Sequence, residues 1–156
     1  MKLRFIWAGS HADEELSNAV DRYLGRIRHF YNVDVVEIAP ERGRQAKDDA
    51  TIIRAQSARL LAAIPDKGFV AVLDERGQVF DSLKFAKWLE RLTIDNPHGV
   101  NFVIGGDVGL AEDVRQRADK LIALSAMTLP HQIARVILLE QIYRACTLMR
   151  NIPYHK

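Results

Sequence analysis

Residues 100–110 read VNFVIGGDVGL. Val100 to Ile104 form a short uncharged run, rich in branched and aromatic side chains, that predicts a strand. It ends in three glycines within five positions, Gly105, Gly106 and Gly109, where the backbone is free to come close to a ligand. Outward from this segment, similar short runs recur at Leu3 to Ala8, Val33 to Ile38, Phe69 to Leu73 and Leu121 to Leu124. Between them lie segments of period near 3.6: Leu16, Ala19, Val20, Tyr23, Leu24 and Ile27, then Ile52 to Ile64, then Leu83, Ala86, Leu89 and Leu92. Asp81 or Ser82 is placed to cap the third of these helices, and Pro65 closes the second. Strands that alternate with helices predict an α/β fold, a mostly parallel sheet with helices on both faces.

A chain of 156 residues, 48% of them hydrophobic, suits one domain with a real core, here taken as 1–156. Lys and Arg number 22 against 20 Asp and Glu, so net charge alone does not announce a nucleic-acid binder. The densest positive charge lies in Pro40 to Lys47, where Arg42, Arg44 and Lys47 surround Gly43; a phosphate-contacting loop and a solvated connection fit equally well. The single cysteine, Cys146, excludes an intramolecular disulfide, suits a reducing cytoplasm and sits among apolar neighbours as a packing residue. No run approaches the roughly 20 apolar residues that span a bilayer, and the opening residues are too short a run for a signal peptide. The histidines show no ligand spacing and there is no cysteine cluster, so no metal is expected.

The final helix, His131 to about Arg150, has apolar residues on almost every side. It should be buried on more than one face, and a second copy of the chain in a homodimer is the simplest supplier of the missing contact.

Ligands of parallel sheets bind beyond the carboxyl ends of the strands. Three strand ends stand out. The third strand runs into Asp74, Glu75, Arg76 and Gly77, read as a polar turn; the fourth ends in the glycine cluster; the fifth opens into Leu124, Ser125, Ala126, Met127, Thr128, Leu129 and Pro130. The glycines do not make a dinucleotide fingerprint, because position 103 is Val103 and no acidic residue ends a strand about 20 positions later. No Gly-Lys-Ser or Gly-Lys-Thr is present, which disfavours a phosphate-binding loop of that kind. The Leu124 to Leu129 loop is apolar, suited to a flat uncharged ring held by main-chain hydrogen bonds, or to burial in an oligomer contact. Glu140 and Arg144 lie four apart, which fits an intrahelical ion pair and a phosphate-directed arginine equally.

Taken together and in order, Ile104-Gly105-Gly106 with Gly109-Leu110, Leu124-Ser125 with Met127-Thr128-Leu129-Pro130-His131, Arg135-Val136, Glu140-Gln141-Ile142-Tyr143-Arg144-Ala145 and Pro153-Tyr154-His155 resemble the ribosomal RNA large subunit methyltransferase H family, small members of the SPOUT class. The resemblance covers the whole chain. It implies a C-terminal trefoil knot, a dimer with its active site at the subunit contact, and S-adenosyl-L-methionine held by Leu73, Gly105 and Leu124 to Leu129. The implied reaction is methyl transfer to N3 of a pseudouridine in 23S ribosomal RNA on the assembled ribosome. His155, Tyr154, Arg144 and His131 are the implied candidates for proton removal and substrate positioning. A non-catalytic RNA- or ribosome-binding module of the same fold is the alternative. Between the second and third glycines this chain carries Asp107 and Val108 where the family pattern has Pro-Glu or Ser-Asn. An acid there is placed to approach a sulfonium or ribose, or to repel RNA phosphate.

Overall fold

A computed structural model of the chain describes residues 1–9, 13–39 and 48–154. The loop Pro40 to Lys47 singled out above, along with His155, lies outside the described residues. The order is β1 (Lys2–Ala8), α1 (Glu14–Ile27), β2 (Asn32–Ile38), α2 (Asp49–Ala63), β3 (Phe69–Val79), α3 (Ser82–Asp95), β4 (Val100–Ile104), α4 (Glu112–Gln116), β5 (Lys120–Ala123) and α5 (His131–Met149). The strands form one sheet in the order β2-β1-β4-β3-β5, and every pairing is parallel.

Alternation along the strands sorts the core. Leu3, Phe5 and Trp7 of β1 point to the face covered by α1, α3 and α5; Ile6 and Ala8 point to the face covered by α2 and α4. Connections that move toward β2 or back to β4 use the first face, and those that move toward β3 and β5 use the second. All four crossovers therefore share one hand, as expected of parallel units. Side chains start the longer helices: Asp13, Asp48 and Asp81 each accept a hydrogen bond from a backbone N–H three residues on.

Two readings of the sequence need correction. The segment Asp74 to Gly77 is not a turn that ends β3; it is a bulge within the strand, which pairs Leu73 with Ile122, then bows out and pairs Gln78 with the same residue. The bow passes so close to β5 that a Cβ on Gly77 would lie 2.5 Å from the backbone nitrogen of Ile122, so only glycine fits there. The second correction is α4, five residues without a side-chain cap, which periodicity did not reveal. Its Arg115 donates to Asp74 at 2.5 Å, and the Arg76 backbone N–H donates to the other carboxylate oxygen at 2.9 Å, so the bulge is pinned to α4.

Much of the burial predicted for α5 is met within the chain, though Ile133 is left exposed. Leu138, Leu139, Ile142, Ala145 and Cys146 join one core with the sheet, α1 and α3. The apolar pattern of this helix alone therefore does not require a second copy. Cys146 is buried as expected, and burial pushes its thiol up to about 12.

The bulge generates two expectations. Gly77→Val should destabilise the fold by about 2 kcal/mol or more, read as a lower urea midpoint, because the added carbons meet β5 backbone that cannot retreat; an unchanged midpoint would show that the bulge and β5 are not in close contact. Burial works to raise the Asp74 carboxyl, but hydrogen bonds from Arg115 and Arg76 outweigh it and hold the group at about 2, below its ordinary 3.8. A depressed carboxylate stabilises the fold above its unfolded value and loses that contribution as pH falls through its folded value. The stability advantage of wild type over Asp74→Asn should thus hold from neutral pH to roughly pH 4 and fade toward pH 2; an advantage that does not change with pH would refute it.

Candidate active site

At the carboxyl ends of β4, β3 and β5 the chain forms a cleft of about 630 Å³. Its floor is Ile104 and Ile122. One wall is the glycine turn, 105–110; the other is the loop from Leu124 to Pro130 with the start of α5; Leu73, Asp74 and Glu75 of the β3 bulge close a third side. The two segments that stood out as strand ends thus face one another across a single cavity.

Each wall has a local cause. Gly109 adopts φ 90° and its N–H returns to the Gly106 carbonyl at 3.1 Å, which folds the glycine segment into a tight turn. The base of the turn rests on α2: a Cβ on Gly106 would come within 2.8 Å of the Gln56 amide, and Ser57 accepts from the Ala111 N–H at 3.0 Å. Across the cleft Ser125 accepts from the Met127 N–H at 2.9 Å, and Thr128 donates to Glu75 at 3.3 Å, which joins the apolar loop to the bulge. Met127 is 72% exposed, an unusual position for a large apolar side chain in a loop.

The start of α5 is held by Arg135. This residue is 1% exposed, lies over the Trp7 ring at 5.3 Å, and donates to the Ala8 carbonyl at 2.7 Å. Burial lowers its guanidinium to about 10, still charged at neutral pH. One turn earlier, buried His131 has Nδ1 2.6 Å from Asp107 Oδ1 in the glycine turn. Its opposite edge abuts Gly9, where a Cβ would sit 2.7 Å from Nε2; Gly9 escapes that clash and takes φ 108°. Asp107 faces the histidine, not open solvent alone.

Of the residues expected to hold a cofactor, Leu73, Gly105, Leu124, Ser125, Met127, Thr128 and Leu129 line the cleft. Ala126 is exposed in the same loop and is not part of the lining. Asp74, Glu75 and Arg115 also line it, although from sequence the first two stand only as a polar strand end and Arg115 is not singled out. Of the expected catalytic set, His131 is in the cleft. Arg144 and Tyr154 are elsewhere: Arg144 is paired with Glu140 at 2.6 Å, and the Tyr154 hydroxyl donates to the same carboxylate at 3.1 Å. Arg144 also lies over the Tyr154 ring at 4.9 Å, and Tyr154 meets Tyr143 edge-on at 4.8 Å. Burial first, then Tyr23 and Glu140, push the Tyr154 phenol well above its usual range, so it serves as a donor. Arg144 lies thirteen positions along the helix from His131, about 20 Å at 1.5 Å per residue. Among the described residues no cluster of His, Cys, Asp and Glu is placed to hold a metal ion, and no helix is long and apolar enough to cross a membrane.

Residues 1–155 match the family described as predicted SPOUT methyltransferase. Similar curated proteins share the chain's full length. The ribosomal RNA large subunit methyltransferase H of Trichlorobacter lovleyi is 41% identical, with 99% of each chain covered. That of Geobacter sulfurreducens is 40% identical over 99% of each. Among solved structures, a probable methyltransferase from Bordetella pertussis superposes with a TM-score of 0.58 at 17% identity, over 92% of this chain and 93% of that one. A probable methylase family protein from Haemophilus influenzae gives 0.58 at 9% identity, over 99% and 70%. At such identities the structural likeness speaks for the fold alone, an α/β sheet with flanking helices. The sequence match carries more weight: over its whole length the chain belongs to the SPOUT methyltransferases, among relatives named ribosomal RNA large subunit methyltransferase H.

Proposed function

We propose that the chain is a single-domain methyltransferase, spanning 1–156, that transfers a methyl group from S-adenosyl-L-methionine to N3 of a pseudouridine in 23S ribosomal RNA. The substrate class follows the names of its relatives, and on this reading the enzyme acts in the cytoplasm on the assembled ribosome. A structure from Legionella pneumophila with the bound cofactor SAM shares the fold at a TM-score of 0.52 and 11% identity.

The observation that carries the reading is the chemistry of the cleft. Leu73, Ile122, Leu124 and Leu129 give apolar walls for an adenine ring, and the loop between Leu124 and Pro130 offers main-chain groups for its polar edge. Glu75 puts a carboxylate acceptor at the same cavity, suited to a ligand bearing an ammonium group, while the Asp74 carboxylate beside it is held by Arg115 and Arg76. Bound there, the group supplies a methyl on positively charged sulfur. The chain's own work is to hold that ligand in a partly apolar cleft and to orient the acceptor nitrogen in line with it. A non-catalytic RNA-binding module would have no need of a cavity with these walls.

His131 is engaged by Asp107 and pressed against Gly9, so we assign it to holding the cleft together and not to removal of the imide proton. Arg144, Tyr154 and His155 remain as the substrate-side candidates. Since Arg144 lies about 20 Å along α5 from His131, with Tyr154 packed against it, we infer a homodimer in which a second copy brings this end of its helix to the first copy's cleft. Exposed Met127 and Ile133, beside the cleft and on the outer side of α5, suit that contact. The fold reading extends to a trefoil knot in the C-terminal part. It is supported by the return of α5 from the β5 edge to a place between α1 and α3.

Two experiments test this. Methyl transfer to ribosomes that lack the modification, followed by mass analysis of the nucleosides, should yield methyl-pseudouridine, and Thr128→Arg should abolish both transfer and cofactor affinity in a chain that still folds; no methyl-pseudouridine on ribosomes, free RNA or transfer RNA would end the proposal. Mixing inactive Thr128→Arg chains with inactive Arg144→Ala chains should restore activity, because one site of each mixed dimer then combines an intact cleft with an intact helix end. If the mixture stays inactive while mixed dimers form, the two parts act within one chain.

A further inference from the structure

The glycine turn is anchored unevenly. Its base is fixed by Gln56 beneath Gly106 and by the hydrogen bond from Ala111 to Ser57. At its tip, Gly109 has open space where a Cβ would be, and Asp107 is 77% exposed. Among the described residues, the closest polar approach between the tip and the opposite side of the cleft is Asp107 Oδ1 at 2.6 Å from His131 Nδ1, a contact outside hydrogen-bond geometry that becomes an ion pair when the imidazole is protonated. The histidine end of that tie is rigid, wedged between Gly9 and the first turn of α5, which Arg135 fastens to the end of β1. The charge of Arg135 also acts on Asp107. One contact thus joins two walls that have no covalent connection shorter than the whole α4–β5 unit.

We propose that Asp107 is a positioning residue for the cofactor, acting through His131: the pair sets the distance between the glycine turn and the start of α5, and so the shape of the adenosyl pocket. The inference rests on the reading of the cleft as an S-adenosylmethionine site, and it excludes a simpler role for the acid. Were Asp107 a direct electrostatic partner of the sulfonium, it would favour S-adenosylmethionine over S-adenosylhomocysteine, which lacks the charge. A residue that shapes the pocket acts on the adenosyl moiety common to both and treats them alike.

Calorimetry with both ligands on wild type, Asp107→Ala, His131→Ala and the double variant separates these cases. Each single substitution should weaken both ligands by the same factor, about tenfold, and the double variant should bind within about threefold of the weaker single one, because both remove one shared contact. In turnover, Asp107→Ala should raise the cofactor KM by that factor with kcat changed less than about threefold. Its exposed side chain should leave the melting temperature of the ligand-free chain within about 2 °C of wild type, which a merely structural role would not. Unaltered affinities in Asp107→Ala, a loss confined to S-adenosylmethionine, or losses that multiply in the double variant would each overturn the proposal. Wild type that binds neither ligand would instead overturn the cofactor reading itself.

Discussion

Taking a guanidinium out of water costs several kcal/mol unless its charge and its N–H groups are met in the interior. Arg135 is met in part, its charge by the face of Trp7 and its Nη2 by the carbonyl at the end of β1, groups that only the finished sheet presents, while Nε and Nη1 are buried without a hydrogen-bond partner. This couples the docking of α5 to the completion of β1, and through β1 to the pairing with β2 and β4. The cleft depends on that coupling. Its second wall leaves β5 as an apolar loop that runs into α5 at Pro130 and His131, so the place where α5 begins constrains where the loop can lie. A lysine could supply the charge but not the planar stack on an indole, which explains why this position calls for arginine.

The fold was legible wherever burial imposed a period. β4 is buried on both faces along its whole length, and its short uncharged run announced it. α1 and α3 each bury one stripe and read as amphipathic helices. Legibility failed where tertiary contact replaced local pattern. The β3 bulge has a turn-like composition, Asp-Glu-Arg-Gly, because its charges are met by α4 and its glycine by β5, neither of which is near in sequence. α4 is too short to show a period. α5 was legible in part: all-round apolarity was correctly read as burial on several sides, and α1 and α3 of the same chain cover much of it, while Ile133 stays 38% exposed.

The site divides along the same line. Glycine clusters and apolar loops are visible in a sequence because their composition is abnormal for surface connections. Both kinds of segment proved to wall one cleft. Ala126 is exposed and falls outside the lining that its loop neighbours Ser125, Met127 and Thr128 provide, a distinction too fine for composition to reveal. The Glu140 and Arg144 spacing left two readings open, and the structure has the ion pair, with Tyr154 added to the same carboxylate. What no spacing could disclose is that the glycine turn and the start of α5 meet through Asp107 and His131, 24 positions apart.

That meeting bears on how one small domain divides its labour. The end of α5 near the sheet is spent on architecture: Arg135 anchors it, His131 braces a wall, and neither has a side chain to spare for a substrate. The far end carries an arginine, two tyrosines and a carboxylate in mutual contact at the surface, with Arg26 of α1 laid over Tyr23 and Tyr143 beside them. A cluster of cations and aromatic rings is the kind of surface that accepts an unstacked base and its phosphates. Since a helix holds the two ends apart, the proposal that both act on one substrate rests on a neighbouring copy that supplies the far end. On the dimer reading proposed above, the length of α5 is what would make each cleft half of a complete site.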